Sequence, residues 1–319
     1  FLEATMATKS SRSHTSVPNS AAEPISDEDL IRGFLLDLRA SGRAARTAEI
    51  YGASIKRLSS FAREMGFPPL ATMERDHVRH WLSSLYQAGN KPGGVHVRYR
   101  AVNRFFRWCV AEDERSDNPM EHISPPKIPD VIQPYYSPEQ IESILKATGR
   151  GTVYALRDTA VILCLFDTGV RAAELCGMRG ANIDWQDQSI LVTGKAGKQR
   201  RVSFGHKTAT AMERYLRKRA VKGDYLWLTT GQGPFTVNGL RMMLERRFAD
   251  AGVEFRGAHA FRRGFAMQYL AAGGQEGDLK ELAGWSDYAM VTRYAKANAG
   301  DRAIKAHKQL SPADRLNVR

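Results

Sequence analysis

Residues 189–204 read SILVTGKAGKQRRVSF, two short runs of β-branched and apolar residues around Gly194-Lys195-Ala196-Gly197. Glycines between such runs supply the backbone angles of a tight reversal, so the stretch predicts a β-hairpin. The β-type pattern begins near Ile183 and ends at Phe204. On either side it gives way to helix. Ser137 is placed to cap a helix over Glu139–Lys146, and residues 154–167 are apolar enough to form a buried helix. Helical periodicity returns from about Lys207 and runs to the end, broken by the apolar run 225–228. The expected fold class is mainly α with a small antiparallel β-sheet, the sheet lying in a domain at 138–300.

Upstream the pattern is helical throughout. Ser26 and Asp29 make a capping arrangement ahead of Leu30, Ile31, Phe34, Leu35 and Leu38, and Gly42 ends that helix. Further apolar faces follow at Ile50, Tyr51, Ile55, Leu58 and Phe61, at Val78, Trp81, Leu82 and Leu85, and at Val95, Tyr99, Val102, Phe106 and Val110. They predict a domain of four or five helices over 25–117. Six prolines from Asn118 through Pro138, the last at the linker's end, remove backbone donors and favour extended geometry, which predicts a linker at 118–137. Residues 1–24, rich in Ser, Thr, Ala and Pro, read as a disordered leader, with Phe1–Thr5 ahead of Met6 as a vector-derived scar. Residues 301–319 read as a tail with a helix anchored by Ile304 and Leu310.

The 319 residues carry 47 Lys and Arg against 34 Asp and Glu, a net charge of +13. That excess favours a polyanionic partner, nucleic acid before membrane. Arg100, Arg104 and Arg107 stand at i, i+4 and i+7, opposite the apolar stripe of the last upstream helix, with no carboxylate until Glu112. Such a stripe suits a phosphate backbone, whose counterions it would release. Arg43, Arg46 and Arg98 join it as candidate DNA contacts, as do Lys198 and Arg200 on the hairpin. Cys109, Cys164 and Cys176 sit in apolar helical patterns without a CxxC spacing, so they read as buried thiols and not as a zinc site or a disulfide scaffold. Residues 160–166, the longest wholly apolar run, are too few for a membrane span, and no secretory signal precedes Ser26. A cytoplasmic, nucleoid-associated protein without a membrane partner is expected.

Metal-free cleavage of a phosphodiester needs a nucleophile, cations on the non-bridging oxygens and an acid for the departing alkoxide. The chain offers one of each. Arg171 follows the turn Thr168-Gly169-Val170 and opens a short helix that includes Glu174. Lys195, with Lys198 as its rival, stands at the hairpin tip where a lysine can swing toward a leaving oxygen. His259 and Arg262, three apart, share one face of a helix that continues through Phe265, Tyr269 and Leu270. Tyr294 follows Trp285 by nine residues. Its phenol, with a pKa near 10, needs a base and a cationic pocket to attack at neutral pH.

The words TGVRAAEL (168–175), TGKAGKQRRV (193–202), AHAFRRGF (258–265) and LAGWSDYAMVTRY (282–294) resemble the motifs of the tyrosine site-specific recombinases, the phage integrase and Xer-like family. The resemblance implies a helical, SAM-like core-binding domain and an α+β catalytic domain closing as a C-shaped clamp on DNA. It also implies a tetramer on two sites, monomeric or dimeric when free, exchanging strands through a 3′-phosphotyrosyl intermediate and a Holliday junction at short inverted repeats. No cofactor, metal or ATP is implied, since the phosphotyrosyl bond conserves the energy needed for ligation. In this pattern Arg171 and Arg262 grip the scissile phosphate, Glu174 holds the site together, Lys195 is the acid, His259 exchanges protons and Tyr294 is the nucleophile. Trp285 stands where most members carry histidine; its indole N–H can donate to a phosphate oxygen but cannot exchange protons. Such a tail docks in trans on a neighbouring subunit, and no arm-binding domain like that of larger phage integrases is read ahead of Ser26.

Two other readings stay open on the residues alone. A type IB topoisomerase shares the chemistry but relaxes supercoils without pairing two sites. A non-catalytic DNA-binding or architectural protein would be free to lose any of Arg171, Lys195, His259, Arg262 and Tyr294, all of which are present.

Overall fold

The structure, a computed structural model, describes residues 25–129, 133–194, 197–220, 223–297 and 299–317. The leader and scar read at 1–24, and Lys195 at the hairpin tip, lie outside the described residues. The chain divides into two units between Pro129 and Asp130.

The first unit has four α-helices among its described residues: α1 (Asp27–Ala40), α2 (Ala45–Glu64), α3 (Arg75–Gln87) and α4 (Pro92–Ala111). Ser26 caps α1, its hydroxyl accepting from the Asp29 amide at 3.1 Å. The Asp27 carboxylate accepts from Ser59 Oγ on α2 and from the Leu70 amide, so one side chain ties three segments. Phe34, Phe105, Phe106, Trp81 and Ile55 fill the centre of the core. The buried face of α2 differs from the expected one. Ile50 is 37% exposed, whereas Ala48, Gly52 and Ser59 are buried with Ile55 and Leu58. Close packing of α1 on α2 selects small residues there, and a Cβ at Gly52 would stand 3.1 Å from Leu35. Val110 is only half-buried at the end of α4.

Residues 118–126 fold back onto this unit. Met120 is buried in its core, Tyr99 donates to the Ile123 carbonyl, and the His96 ring lies 3.2 Å from the Pro126 carbonyl. Arg115 collects the carbonyls of Leu70, Ala71 and Met73. Its guanidinium thus gives the turn after α2 the hydrogen bonds that the turn cannot make to itself.

The second unit is built around α6 (Val153–Thr168), buried along most of its length and flanked by α5 (Pro138–Thr148), α8 (His206–Lys218) and α10 (His259–Ala271). α5 starts with a reciprocal capping box between Ser137 and Gln140. α7 (Ala172–Cys176) leads to a three-stranded antiparallel sheet, β1 (Ile183–Asp184), β2 (Ser189–Thr193) and β3 (Gln199–Ser203), in the order β1-β2-β3. In the hairpin Ile190 pairs with Val202 and Thr193 with Gln199. Ile190, Val192 and Val202 face the core. The run 225–228 is not a named strand; it makes an isolated bridge from Tyr225 to Arg179 and buries Leu226 and Trp227. α9 (Val237–Asp250), α11 (Glu276–Ala283), α12 (Ala289–Ala297) and α13 (Ala299–Leu310) complete the unit.

Two buried polar links set this arrangement. Asp158, fully buried on α6, accepts from Arg157 through one oxygen and from Arg247 of α9 through the other. Asp167, near the end of α6, accepts from the Gly205 amide and Thr208 Oγ1 at the start of α8. α6 then ends at Gly169, whose φ of +59° lies in the left-handed region. A Cβ there would meet the Phe265 ring of α10 at 2.5 Å, so glycine permits both the turn and the close approach of the two helices. Gly169→Ala is expected to cost about 2–4 kcal/mol of stability, a positive-φ penalty plus overpacking, readable as a lowered midpoint in denaturant unfolding. An unchanged midpoint would show that α10 yields without cost.

Candidate active site

The left-handed turn at Gly169 delivers Arg171 as the residue that caps α7. Its amide donates to Glu174 Oε2 and its guanidinium to Oε1, each at 2.8 Å. Arg200, from β3, grips the same carboxylate with both terminal nitrogens at 2.8 and 2.9 Å, and its Nε donates to the Leu282 carbonyl of α11 at 3.0 Å. Glu174 is 3% exposed. Burial by itself would raise its pKa, but the hydrogen bonds and charges of Arg200 and Arg171 overcome that and bring it from 4.5 to about 2. The carboxylate is therefore ionised and joins α7, β3 and the end of α11. Arg171 keeps substantial exposure, 42% of its side chain, and so presents a held cation to solvent.

Arg200 was expected among the DNA contacts, yet its donors point inward. In β3 it shares the face of Val202, two residues on, and period-two alternation puts that face toward the core. Gly284, at φ +64°, completes its slot: a Cβ there would stand 2.8 Å from Arg200 Cδ. Lys198 is exposed on the hairpin, and its carbonyl accepts from the Gly194 amide at 2.7 Å.

α10 begins at His259 and carries Arg262 into the interior, 2% exposed. Arg262 donates to the Gly169 carbonyl at 2.9 Å and to the Ala283 carbonyl. It lies 5.3 Å from the ring centre of Trp285, a cation–π contact. Burial, then the charges of Arg171 and Arg200, lower its pKa to about 10, which leaves it charged at neutral pH. Trp285 in turn stacks on Tyr294, centroids 5.5 Å apart and planes 12° from parallel. Tyr294, on α12, is 5% exposed. Loss of hydration raises the pKa of its phenol, while Arg263, Arg262 and Arg293 pull it down. The competing Tyr288 is 55% exposed and packs against Lys280.

His259 is reachable by solvent at the start of α10. Desolvation of its ring, and then the charges of Arg262, Arg263 and Arg171, lower its pKa. It is thus neutral at pH 7 and able to accept a proton. Arg171, Glu174, Arg200, His259, Arg262, Trp285 and Tyr294 are linked by these contacts and charges into one cluster. Arg263, which the sequence pattern passes over, also acts on both His259 and Tyr294. Its adjacency to Arg262 in FRRGF was the available signal.

In the first unit, Arg43, Arg100, Arg104 and Arg107 line one groove of about 300 Å³ with Thr47, Tyr51 and Asn103. Arg46 is exposed and paired with Glu49, and Arg98 turns back to the Gly94 carbonyl at 3.0 Å. Burial and then the charge of the neighbouring Arg57 lower the Arg98 pKa. Among the described residues no helix is long and apolar enough to cross a membrane.

Two family models match the chain: the phage integrase family over residues 135–300, and the phage integrase N-terminal SAM-like domain over residues 31–113. A tyrosine recombinase XerC of Anoxybacillus flavithermus (strain DSM 21510 / WK1) is 28% identical over 257 residues, 78% of this chain and 86% of the relative. Among solved structures, the Tn1549 transposon integrase in complex with transposon right end DNA has a TM-score of 0.70 at 18% identity, covering 90% of this chain and 100% of that one. The XerH site-specific recombinase bound to its palindromic difH substrate also has a TM-score of 0.70 at 18% identity, covering 91% and 85%.

The Glu174 pKa, held low by folding, adds stability that is present above the unfolded carboxylate range and is lost as pH falls toward about 2. That contribution is about 3 kcal/mol. Wild-type stability is therefore expected to fall between about pH 5 and 2. Glu174→Gln, with Arg200 and Arg171 left uncompensated, is expected to be less stable at pH 7 and to show a flatter acid limb in denaturant titrations. Parallel acid limbs would remove the carboxylate from this role.

Proposed function

Because the chain belongs to the phage integrase family and is a site-specific tyrosine recombinase, we propose that Tyr294 is its nucleophile and that Arg171, Arg262, His259 and Trp285 bind the scissile phosphate. The observation that supports this most is the chain of contacts from Arg262 to Trp285 to Tyr294, which seats a buried phenol on an indole that also carries a charged guanidinium.

In this mechanism the phosphate enters the cationic cluster and its non-bridging oxygens take hydrogen bonds from Arg171, Arg262 and the Trp285 indole N–H. Tyr294 Oη attacks phosphorus as His259, kept neutral by its surroundings, accepts the phenolic proton. The phosphorus–5′ oxygen bond breaks, a 3′-phosphotyrosyl ester forms, and the departing 5′ oxygen takes a proton from Lys195. Attack by a 5′ hydroxyl of a second strand reverses these steps and religates DNA without ATP. Preorganised cations stabilise the pentacoordinate transition state more than the ground state, because negative charge accumulates on the non-bridging oxygens. Glu174 and Arg200 contact no substrate atom in this scheme; they hold Arg171 in place.

The groove of Arg43, Arg100, Arg104 and Arg107 is the proposed grip of the first unit on the duplex backbone. Four subunits on two inverted-repeat sites would carry out the paired exchanges through a Holliday junction. Ile304 and Leu310, 62% and 59% exposed on α13, are the proposed anchors of the tail on a neighbouring subunit.

Duplex fragments from the DNA flanking the gene, nicked to trap a cleaved strand, are expected to give a denaturation-resistant adduct with wild type and none with Tyr294→Phe, which still binds. An adduct with the phenylalanine variant would overturn the assignment. Replacing Arg100, Arg104 and Arg107 together by Ala is expected to lower the dependence of log K on log salt by about 3. An unchanged slope would place these arginines off the DNA.

A further inference from the structure

A groove of about 560 Å³ lies in the second unit and shares no lining residue with the cluster around Glu174. α5 and α8 both pack on α6, and the groove runs where they leave α6 uncovered. α6 is buried along most of its length, but Leu156, Thr159 and Leu163 stay half-buried. At i, i+3 and i+7 they form one stripe, about 10 Å long. Leu145 of α5 and Ala211 of α8, also half-buried, widen this floor. Leucine side chains left in contact with water gain from being covered.

The rim of the groove is basic. Lys146 on α5, Arg150 just after it, and His206, Lys207 and Arg214 on α8 are all exposed, and Glu142 is the one carboxylate among the lining residues. Among the described residues none of these cations forms an ion pair. Asp167 of α6 is already committed to the Gly205 amide and Thr208 Oγ1. The first turn of α8 holds His206 and Lys207 and no acidic residue. A helix dipole favours carboxylates at that end, so these two cations stabilise nothing within their own helix.

We propose that this groove docks an acidic amphipathic helix of a partner protein, its apolar residues on Leu145, Leu156 and Leu163 and its carboxylates against the basic rim. The stripe on α6 has the spacing at which a groove receives the i, i+3, i+4 and i+7 anchors of a helix. Carboxylates flanking those anchors meet the rim cations, and one beside the first turn of α8 also meets the positive end of its dipole. A duplex backbone would use the cations but gain nothing from the leucines. The tail of a second copy is repelled, because α13 carries Arg302, Lys305 and Lys308 against Asp301, the sign of the rim itself. This docking is independent of the role of Tyr294.

The probe is a synthetic helical peptide with Leu at i, i+3, i+4 and i+7 and Glu on its flanks, titrated into the intact chain while the methyl NMR signals of Leu145, Leu156 and Leu163 are followed. Those signals are expected to shift saturably, with an affinity that falls as salt rises. Replacing every Glu of the peptide by Lys is expected to abolish binding, and so is replacing its Leu by Ser. Lys207→Glu combined with Arg214→Glu, at exposed positions outside the core, is expected to weaken the Glu peptide about tenfold as attractive pairs become repulsive. Unmoved leucine signals, equal binding of the Lys and Glu peptides, or undiminished binding to the double variant would overturn the proposal. So would either other occupant: a peptide of residues 299–319 that shifts the same methyls, or a DNA duplex that displaces the Glu peptide from them.

Discussion

The buried carboxylate of Glu174 is the interaction on which the placement of the second unit's Arg171 and Arg200 depends. It accepts from two guanidinium groups and one amide, drawn from the start of α7 and from β3. Arg200, while bound to it, also holds the Leu282 carbonyl at the end of α11. Three segments distant in sequence thus converge on one anion. A buried carboxylate with hydrogen bonds to its charged form remains ionised despite desolvation, and each neighbour it orients loses freedom. Removing it would leave two cations facing each other in a poorly hydrated place, which is why its effect exceeds that of an exposed ion pair.

The surroundings of that anion are deliberately unbalanced in charge. Arg171 and Arg200 bind one Glu174 and Arg262 feels its charge, and burial followed by repulsion from the neighbouring arginines lowers the pKa values of Arg262 and His259. Folding tolerates this because Arg262 is fixed by carbonyl oxygens, neutral acceptors that hold a guanidinium without cancelling its charge. The resulting excess of positive potential is suited to a phosphate, which would supply the missing negative charge on binding. Apolar packing does the remaining positioning: Phe265 against Gly169 sets α10 relative to α6, and Trp285 against Tyr294 sets α12 relative to Arg262.

The first unit spends its polar contacts differently. Asp27 and Arg115 stitch turns to helices inside it, and the arginines of α4 remain at its surface. The prolines after Asn118 do not release the chain at once, for residues 118–126 pack against α3 and α4's own unit through Met120, Tyr99 and His96. Composition alone marks that stretch as extended, and extended backbone can be seated as well as free.

Local sequence determined most of the element order. Periodicities of 3.6 and 2 residues, the caps at Ser26 and Ser137, and the glycines bounding the hairpin are all short-range signals, and they identified helices, sheet and the words around Arg171, Glu174, His259, Arg262, Trp285 and Tyr294. Where packing between elements decides, the pattern misled: Ile50 of α2 is exposed because small Ala48 and Gly52 let α1 approach. Arg200, in a basic hairpin, resembled a surface contact, although alternation with Val202 pointed it inward. Only the tertiary structure paired it with Glu174, 26 residues away, and brought the Arg263 guanidinium to the Pro134 carbonyl. The physical reason is that a guanidinium's role depends on which acceptors lie within hydrogen-bond reach. Those acceptors come from parts of the chain that no local pattern relates to it.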